Sequence, residues 1–524
     1  MTGSPIAVPV QRPERETSRP ALALGLVIAF AVGKLLLHFL TTALTPYGVH
    51  RDEFLYLAMG QHLHFWRMDF PPAIAVLANT ARFLFGDTLF AIRFFPALAG
   101  AAIVILTGLL AREFGGGRFA QGVAMCAVLS CGLFLRPASL FQPVVLDQLW
   151  WTLGFFALAK ISESTEPRWW WLLGLAGGLG LLTKFSIGFF AAGVIVGFAL
   201  TPQRRFLATR WPLLAGLLAL AVGSASLVGQ LRLDLPILVH MGDLRSHQLS
   251  RVTYGDFLRG QFSMLGPILL LPLMGIGALL CGRSLRPFRS LGWASGVAFL
   301  LLLLLHGKPY YLGPVYPTLF AAGATTLAAS NRKPARIFAV VWLVLIILTG
   351  LIGLPMGLPV LPPAQMAKYA AALGDKSAVT TNRKVVLPLP QDYADMLGWE
   401  EQVVAVAHAY EMLPLTKRAE SVLIARNYGQ AGALEFYGPR HGLPRMILLP
   451  DNFLLWPLPS NRSCEVVVTV GIPAQDLARF FSSVQLVTRL DDPWRVPEER
   501  QLPICIAENP IRDLHEAWHQ RTWH

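Results

Sequence analysis

The chain has 524 residues, of which 54% are hydrophobic and only 14% charged, where an ordinary soluble protein has roughly a quarter of its residues charged. That composition excludes a water-soluble globular enzyme. The net charge of +13 is unevenly placed: residues 1–359 carry 28 Lys and Arg against 13 Asp and Glu, whereas 360–524 carry 16 against 18. Positive charge that travels with apolar sequence suits loops facing anionic lipid and not a nucleic-acid groove, so no nucleic-acid partner is expected.

Taken in order, residues 1–19 are Pro-, Ser- and Arg-rich and read as a disordered cytoplasmic N-terminus. The apolar run 20–44 is long enough to span a bilayer and is not followed by a small-residue cleavage site, so it reads as a retained first helix. Further spanning candidates are 90–111, 119–136, 140–159, 169–183, 185–200, 211–230, 262–280, 291–305, 309–329 and 335–355. A span needs about 20 residues, so 169–183 and 185–200 are short and form either two spans or one interrupted unit. With the N-terminus cytoplasmic, the short inner segments carry Arg112, Arg118, Lys160, Arg168, Arg204, Arg205, Arg210, Arg283, Arg286, Arg289, Arg332, Lys333 and Arg336. The short outer turns carry little beyond Arg136, Lys184 and Lys308, a positive-inside bias. About eleven crossings then leave the C-terminal region outside.

Two outer loops stand out, 45–89 and 231–261. Within the first, Phe54–Phe65 and Pro72–Phe85 are apolar but too short to cross, and suit two helices lying along the outer membrane surface, the second started by Pro71-Pro72. After residue 355 the apolar character stops. A Pro-rich linker, 357–363, leads into alternating helix- and strand-like segments: helical near 391–413, a strand over 421–425, a helix near 429–437, a strand over 465–470, a helix after Pro473 and a strand over 484–490. The expected fold is therefore an α-helical polytopic membrane protein over 20–355, followed over 356–524 by a small soluble α/β domain. No P-loop, dinucleotide fingerprint or HExxH is present. Five cysteines make no disulfide framework, and Cys464 with Cys505 is the one pairing a periplasmic tail would allow.

The groups that can carry chemistry gather at predicted outer helix ends. Asp52 and Glu53 follow the first span. Asp52 either caps the first surface helix or meets a hydroxyl, cation or metal there, because charge beside a membrane is costly without a partner. Asp147, near the outer end of another span, has no basic residue three or four positions away, so it is either a buried structural hydrogen-bond partner or part of a site. Lys184 and Lys308 either snorkel to water or converge on a phosphate, with His306, Tyr310 and Tyr311 adding donors. A lipid-linked sugar phosphate fits these parts: an apolar tail for the bundle, a phosphate for the cations, and an acceptor hydroxyl deprotonated by a carboxylate. Its phosphate leaves as a stable anion, so one base with charge stabilisation suffices.

Arg51-Asp-Glu-Phe-Leu-Tyr56, Phe70-Pro-Pro-Ala73, Ala91-Ile-Arg-Phe-Phe-Pro96, Leu146-Asp147, Gly180-Leu-Leu-Thr-Lys184 and His306-Gly-Lys-Pro-Tyr-Tyr-Leu-Gly-Pro314 together resemble the polyprenyl-phosphate-sugar-dependent glycosyltransferases of GT-C fold. The likeness is to the bacterial branch related to protein O-mannosyltransferases and lipid A aminoarabinose transferases. The resemblance implies a multi-pass bacterial inner-membrane enzyme that inverts the sugar carbon, with a polyprenyl-phosphate-linked sugar as donor and a lipid, saccharide or protein hydroxyl as acceptor. It makes Asp52 the catalytic carboxylate and Glu53 a neighbour in substrate or metal binding, and sets the donor phosphate near the cations at outer helix ends; the candidate substrate- and phosphate-binding residues are then Glu53, Tyr56, Asp147, Lys184, His306, Lys308, Tyr310 and Tyr311. Members differ in whether they need a divalent metal, for which Glu53 and Asp147 are the candidates here. The chain departs from the family where Phe54-Leu55 separates Glu53 from Tyr56 and where Gly307 follows His306. A polysaccharide ligase or polymerase using lipid-linked saccharide is the nearest alternative, and a polytopic transporter a more distant one.

Overall fold

A computed structural model describes residues 19–164, 166–330, 332–444, 447–448 and 465–511. The N-terminal residues expected to be disordered lie outside this set up to residue 18, and so does Cys464, the expected partner of the buried, free Cys505.

The first helix, α1 (Leu24–Leu44), shows why the bundle forms. Its buried positions are Val27, Ala31, Lys34, His38 and Thr41, while Leu24, Ile28, Val32, Leu36, Leu40 and Leu44 are exposed. The polar stripe points inward and the apolar one outward, the reverse of a helix in water and the arrangement a lipid solvent selects. After α2 (Arg51–Gln61), α3 (Ala73–Phe85) and α4 (Leu89–Glu113), the chain breaks between α5 (Arg118–Ser130) and α6 (Gly132–Leu135). Four-residue α6 leaves carbonyls without intrahelical partners, and fully buried Lys34 donates to one of them, Phe134 O, at 2.9 Å. One turn along, His38 Nδ1 lies 3.0 Å from Ser139 Oγ. α1 thereby fixes the bend that steers residues 140–142 toward α2.

The remaining helices up to residue 357 are α7 (Pro143–Glu163), α8 (Arg168–Thr183), α9 (Ile187–Ala199), α10 (Arg210–Val222), α11 (Ser224–Arg232), α12 (Pro236–His247), which lies in the outer loop with no buried residue, α13 (Tyr254–Leu265), α14 (Leu270–Cys281), α15 (Arg289–Leu304), α16 (Tyr316–Ala328) and α17 (Lys333–Gly357). α9 and α15 pack at backbone contact. A Cβ on Gly193 or Gly197 would lie 2.6 Å from Ala294 O or 2.4 Å from Ser290 O, so this small-xxx-small pair is a steric requirement.

Six helices among the described residues are long and apolar enough to cross a membrane, and nine if three bent pairs each count as one span. The protein is therefore a multi-pass membrane protein. The two other expected spans are short helices, α8 with 16 residues and α16 with 13, the latter preceded by a 3₁₀ stretch over Pro309–Val315. The expected span 262–280 begins earlier: its helix starts at Tyr254 and takes up the end of the outer loop 231–261.

The two expected surface helices are α2 and α3. α3 buries Ile74, Ala75, Ala78 and Ala81 while Phe83, Leu84 and Phe85 are exposed, the amphipathic pattern of a helix lying on a bilayer. α2 starts at Arg51 and ends at Gln61, several residues earlier at each end than the expected 54–65. Its N-cap is His50, whose Nδ1 accepts from Asp52 N at 3.0 Å, and Glu53 closes the capping box by accepting from His50 N at 2.7 Å. Asp52 is thus released from the capping role that the sequence left open to it.

Beyond residue 357 the chain forms α18 (Pro363–Leu373), α19 (Gln391–Ala394), α20 (Trp399–Glu411), α21 (Leu415–Glu420), β1 (Val422–Ala425), α22 (Tyr428–Tyr437), β2 (Ile447–Leu448), β3 (Val466–Val470), α23 (Ala474–Leu477), β4 (Phe481–Leu490) and β5 (Leu502–Pro510). The five strands form one sheet in the order β2-β1-β3-β5-β4, parallel across β2-β1-β3 and antiparallel across β3-β5-β4. β1 and β3 are buried at every position, as strands covered on both faces must be. β5 lies outside the expected strands, and it carries Pro503, a residue disfavoured in an inner strand. It is accommodated at the strand end, where its carbonyl accepts from Gly471 N at 2.9 Å.

Candidate active site

Asp52 sits in the first turn of α2, where the helix dipole favours a negative charge, and its side chain is 31% exposed. Each carboxylate oxygen accepts one hydrogen bond. Tyr428 OH donates to Oδ1 at 2.7 Å and Gln142 Nε2 to Oδ2 at 3.0 Å, while Arg51 Nε stands 4.0 Å away. Burial opposes ionisation, but His50, Arg51, the Tyr428 hydrogen bond and Lys308 outweigh it and hold the carboxyl below its ordinary value. Asp52 is consequently an anion at neutral pH.

Its neighbour Glu53 does something else. It is fully buried, and Arg93 from α4 grips it with Nε on Oε1 and Nη2 on Oε2, both at 3.2 Å. Oε1 also accepts from Phe141 N at 2.8 Å and Oε2 from His50 N. The same Arg93 Nη2 donates to Gly48 O at 2.9 Å. Glu53 thus ties α2, α4 and the segment entering α7 into one unit, with no oxygen turned toward a substrate. That placement goes against the expectation of a substrate or metal ligand. With its oxygens taken by Arg93, Phe141 N and His50 N, Glu53 does not suit a metal ligand, and no three His, Cys, Asp or Glu side chains come together as a ligand set among the described residues.

Asp147, which lacks a basic neighbour in sequence, finds one across the bundle. Lys184 Nζ is 3.9 Å from Oδ2 and Ser186 Oγ donates to Oδ1 at 2.7 Å. Lys184 itself has extended backbone between α8 and α9, which turns its side chain over the Tyr311 ring, 4.7 Å from the centroid. Lys308 lies 6.0 Å from the centroid of Tyr310, and Tyr310 and Tyr311 meet edge to face at 4.8 Å. Burial holds the Lys308 ammonium down to about 8, with Asp52 opposing that effect, Lys184 adding to it and Asp392 opposing it. Lys308 thus shares its surroundings with both Asp52 and Lys184. Tyr56, one turn beyond Asp52 on α2, is kept a neutral phenol first by burial and then by the Asp52 charge.

The structure therefore gathers Asp52, Tyr56, Asp147, Lys184, Lys308, Tyr310 and Tyr311 at one end of the bundle. His306 packs instead on the 231–261 loop. It adopts a positive φ of 55°, donates from Nδ1 to Val252 O at 2.7 Å and stacks on Tyr254 at 4.7 Å, which makes it an anchor for the 231–261 loop. Gln142, Arg93, His50 and Tyr428 were not singled out from sequence. An Arg inside the apolar run 91–96 was a usable signal for Arg93. Nothing local marks Tyr428, which lies 376 positions from Asp52. At the opposite end of the bundle, buried Glu113 takes Lys160 at 3.1 Å along with Arg19 and Arg112, a closed set of ion pairs.

Residues 69–228 match the family model described as dolichyl-phosphate-mannose-protein mannosyltransferase. The sequence is 32% identical over 313 residues to an undecaprenyl phosphate-alpha-4-amino-4-deoxy-L-arabinose arabinosyl transferase of Edwardsiella ictaluri, covering 54% of each chain. It is 35% identical over 130 residues to a protein of the same description from Pseudomonas fluorescens, covering 24% of this chain and 22% of that one. The chain thus spans about half the length, or less, of these curated relatives. In fold it is similar to the crystal structure of ArnT from Cupriavidus metallidurans bound to undecaprenyl phosphate, with a TM-score of 0.63 at 17% identity, covering 92% of this chain and 98% of that one. The architecture is the expected GT-C type.

Proposed function

We propose that this chain is an inverting glycosyltransferase that moves a sugar from a polyprenyl-phosphate donor to a hydroxyl-bearing acceptor at the periplasmic face of a bacterial inner membrane. The observation that carries the reading is the ionised, partly exposed Asp52 carboxylate at the same bundle end as the Lys184 and Lys308 cations. The acceptor O–H proton passes to Asp52 and the acceptor oxygen forms a bond to the anomeric carbon. The carbon–oxygen bond to phosphate breaks and its electron pair leaves on the polyprenyl phosphate. Asp52 serves as base, and its charge also favours the positive character that grows on the sugar ring. Lys184 and Lys308 stabilise the leaving phosphate, and Asp147 holds Lys184 in place. The names of the sequence relatives and the undecaprenyl phosphate of the structural one support a C55-type lipid carrier. The acceptor is a lipid, saccharide or protein hydroxyl.

The positive charge on one set of helix-connecting segments supports a cytoplasmic N-terminus and a periplasmic C-terminal α/β domain over 356–524. The test supplies a panel of short-chain polyprenyl-phosphate monosaccharides to sealed membrane vesicles that contain the protein. Right-side-out vesicles are expected to consume at least one donor by transfer or hydrolysis, and inverted vesicles only after detergent opens them. Consumption in sealed inverted vesicles alone would reverse the orientation, and no consumption of any donor in detergent would remove the activity.

A further inference from the structure

Helix α22 of the C-terminal region lies directly on α2. A Cβ on Gly429 would sit 2.4 Å from Arg51 Cγ, and one on Gly432 would sit 2.6 Å from Phe54 Cβ, so only glycine permits this approach. Around the contact, the Phe54 ring meets Trp399, Phe436 and Tyr437 edge-on at 5.7, 6.0 and 5.8 Å. The start of α2 is also held from the same side. Arg51 N donates to Asp395 O at 2.9 Å and Gly48 N to Met396 O at 3.2 Å, with Arg51 Nη1 3.6 Å from Asp395 Oδ1.

Tyr428 is the first residue of α22 and its position is over-determined. Asn427 Oδ1 caps the helix by accepting from Gly429 N at 3.0 Å and Gln430 N at 3.1 Å. Asn427 Nδ2 in turn donates to Glu499 Oε1 at 2.7 Å and Gln430 Nε2 to Glu499 Oε2 at 3.0 Å. This cap and its buried glutamate aim the Tyr428 hydroxyl at Asp52 Oδ1, with the ring under Arg51 at 5.4 Å. Gln142, from the membrane bundle, holds the other oxygen. The carboxylate is thus pinned between two regions of the chain.

We propose that Tyr428 is a positioning residue for Asp52, so that the α/β region beyond residue 357 completes the transferase site. The proposal rests on the reading of Asp52 as the base. Burial, and after it the Asp52 charge, keep the Tyr428 phenol far above its ordinary value, so it acts as a donor and not as a second base. The other ionisable groups facing Asp52 are His50, Arg51 and Lys308, with Tyr56, Tyr310 and Asp395 also within reach of its charge. Arg51, Lys308 and His50 remain when the tyrosine hydroxyl is removed, so the carboxylate survives but loses one fixed donor.

The test compares wild type, Tyr428→Phe and Asp52→Asn in the full-length purified protein. Loss of a hydrogen bond to a charged group raises the carboxyl's ionisation point by about one pH unit. The acid limb of the kcat/KM profile is therefore expected to move up by about that amount in Tyr428→Phe, with the donor KM little changed and kcat reduced. A superimposable acid limb and unchanged kcat would overturn the proposal. If Asp52→Asn keeps full turnover, the reading of Asp52 has failed, and the positioning claim is then judged by infrared titration. The protonated-carboxyl band that Asp52→Asn abolishes should appear at higher pH in Tyr428→Phe than in wild type, and an unmoved band refutes the contact. Gly432→Leu, which lifts α22 from α2, is expected to shift the same band in the same direction.

Discussion

Asp52→Asn is expected to lower donor turnover by at least about 100-fold, the scale on which loss of a general base is felt. The substitution is close to isosteric, and its surroundings can absorb it. Asn Oδ1 still accepts from Tyr428, and Gln142 can rotate its amide to offer oxygen to the new Nδ2. The α2 capping box does not use the Asp52 side chain, so the fold should persist and thermal stability should change little. What disappears is the partly exposed anion of the site, and its acidic neighbours are paired elsewhere: Glu53 with Arg93, Asp147 with Ser186 and Lys184, Asp395 with Arg51 and Asp392 with Arg136. Initial rates measured with the best donor of the panel decide it. Turnover within a few-fold of wild type would remove Asp52 from the chemistry.

The second large effect falls on stability. Arg93→Met strips Glu53 of its bidentate partner while leaving the carboxylate fully buried, with only two backbone N–H donors, His50 and Phe141. Breaking a buried pair from one side costs about 3–5 kcal/mol, so a marked fall in melting temperature in detergent is expected. Adding Glu53→Gln to Arg93→Met should recover part of the loss, because a neutral amide can be buried with fewer partners. A single variant that melts like wild type would show that the pair does not hold the α2–α4–α7 junction together.

Much of this organisation is legible in the sequence, for reasons that differ by residue. The long spans are readable because a bilayer demands length and apolarity, and α1, α4 and α17 supply both within one run. Lys184 and Lys308 could be assigned to helix ends because they interrupt such runs, and their convergence near Asp52 follows from several helices ending together. α16 was readable only as an apolar stretch, since the 3₁₀ start over Pro309–Val315 shortens the helix without changing hydropathy. Asp52 and Glu53 look equivalent on paper. The difference between them is made by Arg93, 40 positions from Glu53, and by His50 taking the cap that was one of the two roles open to Asp52. The placement of His306 was not legible because its positive φ and its bond to Val252 are properties of a loop path, not of a motif. Tyr428 could not be found at all, since its contact exists only after two regions of the chain dock through Gly429 and Gly432.

A structure of the purified protein with a polyprenyl phosphate bound tests the central claim most directly. The phosphate is expected at the Lys184 and Lys308 ammonium groups, above Tyr310 and Tyr311, with an open path from its oxygen to the Asp52 carboxylate. A phosphate held instead at the opposite end, among Arg112, Lys160 and Arg19, or separated from Asp52 by packed protein, would contradict the account.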